Sequence, residues 1–181
     1  MIGSEKMSEK LALAESTLER VGQWIVAADQ KASFLLAFAG VLVGAGLLQY
    51  ETFFAALDVS KHGALYRTTV FLSIVAALDC TVICIGQVLL MGWPDAKARG
   101  TSLFFFGSIR ARPIDDYVSA FLAQDEEQAV RDLAEQIHIN SEIAARKHER
   151  LATAFRCMFV GLSAWAVLFL VLLWAKEAAG S

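Results

Sequence analysis

The fold is decided by the stretch Trp24-Ile-Val-Ala-Ala-Asp-Gln-Lys-Ala-Ser-Phe-Leu-Leu-Ala-Phe38. Lys31 is its last charged residue, and the uncharged run that follows extends to Tyr50. Because no proline interrupts this part of the chain, an amphipathic helix is predicted to continue without a break into a membrane-spanning helix. Asp29 and Lys31 are then expected at the level where the helix passes from water into lipid.

On the N-terminal side of this stretch, apolar residues recur at alternating steps of four and three. They are Met7, Leu11, Ala14, Leu18, Val21, Ile25 and Ala28. This spacing places all of them on one stripe of a helix. The first twenty residues are charged throughout and lack the apolar core of a secretory signal. We therefore predict a cytoplasmic amphipathic helix here.

Two further stretches are long and apolar enough to cross a membrane, which takes about 20 residues of helix. The predicted order is a cytoplasmic helix at 1–31, span one at 32–50, an outer loop at 51–67, span two at 68–93, a cytoplasmic helical region at 94–156, span three at 157–175 and an outer tail at 176–181. The predicted fold class is an all-α membrane protein with three transmembrane helices. Extensions of helices one and three, plus the segment after helix two, form its cytoplasmic helical bundle.

The distribution of basic residues predicts the orientation. Most Lys and Arg residues lie before span one or between spans two and three, whereas the outer loop holds only Lys61 and Arg67. Because short cytoplasmic segments are enriched in Lys and Arg, the N-terminus is expected inside and the C-terminus outside. The net charge of −3 gives no indication of a nucleic-acid partner.

Two features inside the predicted spans are candidates for packing or function. Gly40 and Gly44 lie four residues apart in span one, a spacing that lets two membrane helices approach closely. Their partner is either another span of the same chain or another subunit. Asp79 lies within span two, where an acid costs about 2.5–3.5 kcal/mol on insertion scales. It either hydrogen-bonds inside the bundle or lines a water path when the protein opens.

The segment after span two contains a phenylalanine-rich stretch, Ser102-Leu-Phe-Phe-Phe-Gly107, which is too short to span and is predicted to be a loop or short turn. Pro113 is predicted to begin a short helix that ends at about Ala123. A longer helix is predicted from about Glu126 into span three. The acidic run Asp125-Glu-Glu127 is expected to cap its start, because carboxylates favour helix N-termini. Its apolar stripe reads Val130, Leu133, Ile137, Asn140, Ala144, Lys147 and Leu151.

Lys147 is an unusual member of that stripe, because a buried Lys needs a carboxylate or a bound anion. The predicted topology brings it near other polar and aromatic residues below the membrane. The candidate nucleotide-binding residues are Asp29, Lys31, Phe105, Phe106, Arg110, Asn140 and Lys147. Such a set offers cations for a phosphate, aromatic faces for a base and amides for base edges. The alternative is a structural Asp29–Lys147 ion pair, a phenylalanine plug and ordinary positive-inside charge.

No catalytic or metal-binding arrangement is recognisable. His62 is expected on the outer side, and neither cytoplasmic histidine, His138 or His148, has a Cys, Ser or acid at a spacing typical of a metal site or a triad. The three cysteines, Cys80, Cys84 and Cys157, lie in or beside spans and lack further ligands for zinc. A glycine-rich phosphate loop is also absent from the sequence. We therefore predict neither an enzyme nor a metal or cofactor site.

Three stretches in order resemble the transmembrane effector family of the Pycsar anti-phage defence system, over about residues 15–175. They are Trp24-Ile-x3-Asp29-x-Lys31-Ala-Ser-Phe34, Ser102-Leu-Phe-Phe-Phe-Gly-x-Ile109 and Gln136-Ile-His-x-Asn-Ser-x-Ile-Ala-x2-Lys147. The resemblance implies that a partner pyrimidine cyclase makes cyclic CMP or cyclic UMP on infection. The effector then responds to the nucleotide, disrupts the lipid of the bacterial inner membrane and kills the cell.

The resemblance implies no cofactor and no turnover. Because three spans cannot enclose a wide channel alone, a homo-oligomer is expected on activation. The alternative function is that of a non-signalling membrane scaffold or complex subunit whose cytoplasmic helices dock a partner protein. The sequence leaves open which of the two nucleotides binds, and whether the membrane is breached by a pore or by diffuse disruption.

Overall fold

The computed structural model describes residues 2–58, 63–92 and 102–180, and these residues form helices and loops without a strand. In chain order the helices are α1 (Ile2–Leu48), α2 (Tyr50–Ala56), α3 (Ala64–Met91), α4 (Phe106–Arg110), α5 (Ile114–Ala123) and α6 (Glu126–Gly180). Three of them, α1, α3 and α6, are long and apolar enough to cross a membrane. The predicted all-α membrane fold with three spans is confirmed.

The two longest helices run through both polar and apolar sequence, as predicted. α1 has 47 residues and α6 has 55. At about 1.5 Å of rise per residue they are about 70 Å and 80 Å long. A hydrocarbon core of about 30 Å accounts for less than half of either length. Each helix therefore has room for a soluble part in addition to a span.

A capping box begins α6 at the predicted place. The backbone N–H of Gln128 donates to the Oδ1 of Asp125 at 2.8 Å, and the Oε1 of Gln128 accepts from the N–H of Asp125 at 3.5 Å. These bonds satisfy backbone donors that have no partner within the first turn of a helix. Asp125 thus fixes where the last helix starts.

The chain divides into two compact units. Unit 1 consists of Met1–Asp29 and Trp93–His148, and unit 2 of Gln30–Gly92 and Glu149–Ser181. Unit 1 contains the N-terminal parts of α1 and α6 together with α4 and α5. Unit 2 contains the apolar parts of α1 and α6 together with α2 and α3.

Both predicted apolar stripes are the less exposed faces of their helices. Every member of the α1 stripe, from Met7 to Ala28, is buried or partly buried, whereas Glu9 and Glu19 are exposed. The same holds for the α6 stripe from Val130 to Leu151. The spacing of apolar residues therefore identified the faces that pack.

Unit 2 has a core around Trp165, which is 7% exposed. The buried residues Ala56, Val70, Ala77 and Leu168 belong to the same cluster. The ring centroid of Phe53 lies 5.8 Å from that of Trp165. Such aromatic contacts add to the stabilisation that the buried area itself provides.

Close helix packing in unit 2 occurs at glycines other than the predicted pair. A Cβ at Gly46 would lie 3.1 Å from the Trp165 ring, and a Cβ at Gly161 would lie 3.2 Å from the Cβ of Cys80. A Cβ at Gly40 or Gly44 would meet nothing within 4 Å among the described residues. Packing against another span of the same chain is therefore not observed for Gly40 and Gly44.

Among the described residues of the predicted outer loop at 51–67, most are helical. α1 ends at Leu48, and α2 follows after Gln49, whose φ is −105° and ψ is 9°. Phe53 and Ala56 then pack into the core, which explains why so short a helix forms. Seven residues give too little periodicity for a sequence-based prediction. Lys61, His62 and the predicted end of span two at Trp93-Pro94 lie outside the described residues.

Candidate functional site

Lys147 of α6 is paired with a carboxylate. The Nζ of Lys147 lies 2.5 Å from the Oδ1 of Asp29, in unit 1. The side chain of Lys147 is 17% exposed and that of Asp29 is 49% exposed. Of the two partners that the sequence allows for Lys147, a carboxylate or a bound anion, the structure therefore shows the carboxylate.

Unit 1 also contains a groove of 350 Å³ that is lined by α1 and α6. It is lined by Trp24 from α1 and by Ser141, Ala144, Ala145 and His148 from α6. The four α6 residues are spaced at steps of three and one, so they form one face of the helix. The volume falls within the range of about 300–1,000 Å³ that is typical of small-molecule sites.

The chemistry of the groove is set by one aromatic face and two polar groups. The indole of Trp24 is 53% exposed. The Nδ1 of His148 lies 3.0 Å from the carbonyl oxygen of Ala144. Because a carbonyl oxygen only accepts, this bond assigns the proton to Nδ1 and leaves Nε2 as an acceptor in the neutral ring. Ser141 adds a hydroxyl, which both donates and accepts.

The phenylalanine-rich stretch is fixed at its beginning to α6. The Oγ of Ser102 accepts hydrogen bonds from the backbone N–H groups of Phe104 and Phe105, at 3.0 Å and 3.1 Å. The N–H of Leu103 donates to the Oδ2 of Asp132 at 2.7 Å. This serine turn and its carboxylate anchor tie the beginning of the loop to α6.

The phenylalanines after this anchor differ in exposure. The ring centroids of Phe105 and Phe106 are 4.7 Å apart, and Phe106 is 71% exposed. A Cβ on Gly107 would lie 2.5 Å from the ring of Phe105, so this ring would have to shift if residue 107 carried a side chain. The predicted loop or short turn is therefore a loop that ends in the single-turn helix α4.

Direct contacts join two pairs among the predicted nucleotide-binding residues, Asp29 with Lys147 and Phe105 with Phe106. Arg110 is exposed at the end of α4, Asn140 is partly buried on α6, and Lys31 is exposed in unit 2. That all seven residues share one pocket stays a prediction.

Several polar residues of unit 1 were not singled out from the sequence as ligand contacts. Trp24, Ser141 and His148 line the groove. Gln136 is only 4% exposed, and one turn before it the Oδ1 of Asp132 is buried without a hydrogen-bond partner among the described residues. Trp24 and Ser141 could have been predicted as ligand contacts from the sequence, because both belong to the motifs that carry the family resemblance.

The groove, the ion pair and the anchored loop all lie within the part of the chain that matches a known family. A model of the Pycsar effector protein domain matches residues 13–174. This chain belongs to the Pycsar effector family. It is therefore an effector of anti-phage defence, and its three apolar helices mark it as a membrane protein. The predicted family resemblance is confirmed.

A curated relative supports the same assignment. The chain is 28% identical over 169 residues to the Pycsar effector protein GmPycTM of Gulbenkiania mobilis. The alignment covers 78% of this chain and 86% of that protein. No solved structure matches the chain.

Proposed function

We propose that this Pycsar effector binds cyclic CMP or cyclic UMP in unit 1 and then permeabilises the bacterial inner membrane. A partner pyrimidine cyclase supplies the nucleotide, and the effector itself catalyses no reaction. The observation that carries this proposal is the groove between Trp24 and the Ser141–His148 face, which combines an aromatic surface with hydrogen-bonding groups.

The base is the part of the nucleotide that is proposed to stack on Trp24. Unpaired bases stack on exposed aromatic side chains, and each such contact is worth about 1–3 kcal/mol. We propose that the Ser141 hydroxyl and the Nε2 of His148 hydrogen-bond a base edge or the ribose. Asn140, Phe105 and Phe106 stay secondary candidates for base contacts.

The cyclic phosphate carries one negative charge and requires a cation. Lys147 directly precedes His148 on α6, but its ammonium is held by Asp29. We propose that the phosphate replaces Asp29 as the partner of Lys147. The released carboxylate is half-exposed and becomes hydrated, so the exchange leaves no buried charge unpaired. Lys31 and Arg110 are further candidates for phosphate contact.

The membrane arrangement follows the basic residues. We propose a cytoplasmic N-terminus, a cytoplasmic sensing region at residues 94–156 and a periplasmic C-terminus, with several copies acting together. The excess of Lys and Arg in these inner segments supports this orientation.

Binding is tested by the thermal stability of the full-length protein in detergent. Cyclic CMP or cyclic UMP is expected to raise the Tm, and cyclic AMP and cyclic GMP to raise it much less, because a ligand that binds only the folded state stabilises it. Equal shifts with all four nucleotides, or none, would contradict a specific pyrimidine site.

Permeabilisation is tested separately in cells. Co-expression with a pyrimidine cyclase is expected to collapse the membrane potential, whereas a cyclase that makes cyclic AMP is not. A membrane potential that survives pyrimidine cyclase activity would contradict the effector mechanism even if the nucleotide binds.

A further inference from the structure

Asp79 lies near the midpoint of α3. The helix extends 15 residues before it, to Ala64, and 12 residues after it, to Met91. At about 1.5 Å per residue, its carboxyl group is about 20 Å from either end of the helix. In a membrane-spanning helix this position is deep in the hydrocarbon, and the structure leaves the side chain exposed.

The exposed side chain points away from the packed face of α3. The buried residues of this helix include Ala77 and Thr81. With about 100° between successive residues, each lies about 160° from Asp79 around the helix. An acid that hydrogen-bonded to residues in the interior of unit 2 would lie on the buried face of α3. Hydrogen bonding inside the bundle, one of the two roles predicted for Asp79, is therefore not what its position supports.

Asp79 belongs to a regular stripe on this open face. Leu72, Val75, Asp79, Val82, Gly86 and Leu89 follow one another at alternating steps of three and four. We refer to these six residues as the Asp79 stripe. Leu72, Val82 and Leu89 are 59%, 67% and 60% exposed, whereas Val75 and Gly86 are partly buried. Steps of three and four are the spacing by which two helices pack side by side.

Contact with lipid is unfavourable for Asp79, the acidic member of this stripe. A lipid tail neither donates nor accepts a hydrogen bond, so an acid that faces it costs about 2.5–3.5 kcal/mol on insertion scales. A second Asp79 stripe relieves that cost, because carboxyl groups hydrogen-bond to each other when protonated and share water when ionised. A Cβ at Gly86 would meet nothing within 4 Å, so the backbone is open to close approach there. The stripe is therefore complementary to its own copy.

We infer that several copies of this chain assemble with their Asp79 stripes facing a shared axis, where a ring of Asp79 carboxyl groups lines the path that ions take across the membrane. This inference rests on the permeabilisation proposed above and specifies its selectivity. Rings of acidic side chains favour cations and exclude anions. The lethal leak is then a cation-selective pore rather than diffuse disruption.

Ion selectivity tests the ring directly. The full-length protein is reconstituted in planar bilayers under a KCl gradient, with the cyclic pyrimidine nucleotide added. The wild type is expected to favour K⁺ over Cl⁻. Because acidic clefts raise local cation concentration by about tenfold or more, Asp79→Asn is expected to lower the permeability ratio by about tenfold. Asp79→Glu is expected to retain the selectivity, and Glu51→Gln, which removes an acid outside the predicted spans, to leave it unchanged.

Photocrosslinking tests the contact independently of permeation. A photoreactive amino acid at Val82, on the stripe, is compared with one at Phe159 on α6; the native residues are 67% and 72% exposed. Val82 is expected to crosslink to a second copy in native membranes, and Phe159 is not. A crosslink from Val82 to lipid or to another protein would overturn the inference.

The outcomes separate this inference from the function on which it rests. Permeation that is unselective, or a selectivity that Asp79→Asn does not change, overturns the carboxyl ring and leaves the effector role intact. A wild-type protein that never permeabilises bilayers with nucleotide contradicts the proposed function itself. In that case the crosslinks still decide whether the stripe joins two copies.

Discussion

Lys147 of α6 and Asp29 of α1 form an ion pair whose cation is the more buried partner. Their side chains are 17% and 49% exposed, and the residues are 118 positions apart in the chain. The pair joins the first and last helices within unit 1. Its unequal exposure makes the two ends of the pair unequal in energy, because an unpaired charge costs more where water cannot reach it.

The stability of variants is therefore expected to depend on which partner is removed. Asp29→Asn leaves a largely buried ammonium without its carboxylate, at a cost of about 1–3 kcal/mol. Lys147→Met keeps the side-chain volume and leaves a carboxylate that is half in water, so its cost is expected to be less than about 1 kcal/mol. Unfolding in detergent measures both, and equal losses would contradict the asymmetry.

The same two variants separate phosphate binding from structure. If the phosphate replaces Asp29, Lys147→Met should abolish killing on cyclase co-expression while membrane insertion persists. The double variant Asp29→Asn/Lys147→Met should be about as stable as Lys147→Met alone, because no buried ammonium remains. A double variant that loses the sum of both single effects would show that the residues act independently.

Nucleotide binding is expected to depend on the indole of Trp24. Trp24→Ala should weaken binding by about 1–3 kcal/mol, the range for one base–aromatic stack, and so reduce the nucleotide-induced rise in Tm. Trp174→Ala is the matched control, because this exposed Trp lies near the far end of α6 in unit 2. An equal loss from both variants would point to a general effect on folding instead of a site at the groove.

The glycines of α1 are expected to separate folding from killing. Gly46→Leu should destabilise the protein, because even a Cβ there lies 3.1 Å from the Trp165 ring. Gly44→Leu should fold normally and bind nucleotide, since no described residue lies within 4 Å of its Cβ position. If the Gly40–Gly44 face joins subunits, Gly44→Leu should nevertheless block killing. Unchanged killing by this variant would remove that face from the assembly.

The continuity of α1 predicts how the signal travels. This helix is unbroken from Ile2 to Leu48, so a Gly-Gly insertion after Ala32 should break its stiffness. Nucleotide should still bind with similar affinity, yet the membrane potential should survive cyclase activation. A Gly-Gly insertion after Gly63, which precedes α3 in a non-helical segment, serves as the control. Wild-type killing by the Ala32 insertion would rule out transmission along this helix.

The sequence by itself determined the three long apolar helices, the unbroken course of α1 and α6 and the faces on which they pack. These properties depend on local hydrophobicity and on the 3.6-residue period, which neighbouring residues carry along the chain. The start of α6 was also readable, because the Asp125 cap acts within one turn. The family could be recognised from three short motifs for the same reason, since their residues are close in sequence.

Tertiary structure decided which residues meet. Gly40, Gly44 and Gly46 have similar local surroundings in sequence, yet only the position of Trp165 shows that Gly46 is the one packed closely against α6. The sequence allows Asp79 to face either the bundle or the lipid, and the position of the buried residues of α3 shows that it faces away from the bundle. The sequence contains several acids that could pair with Lys147, and the packing of α1 against α6 in unit 1 makes Asp29 its partner. In each case the deciding quantity is the rotation of one helix relative to another, which depends on packing between distant segments and leaves no local pattern in the sequence.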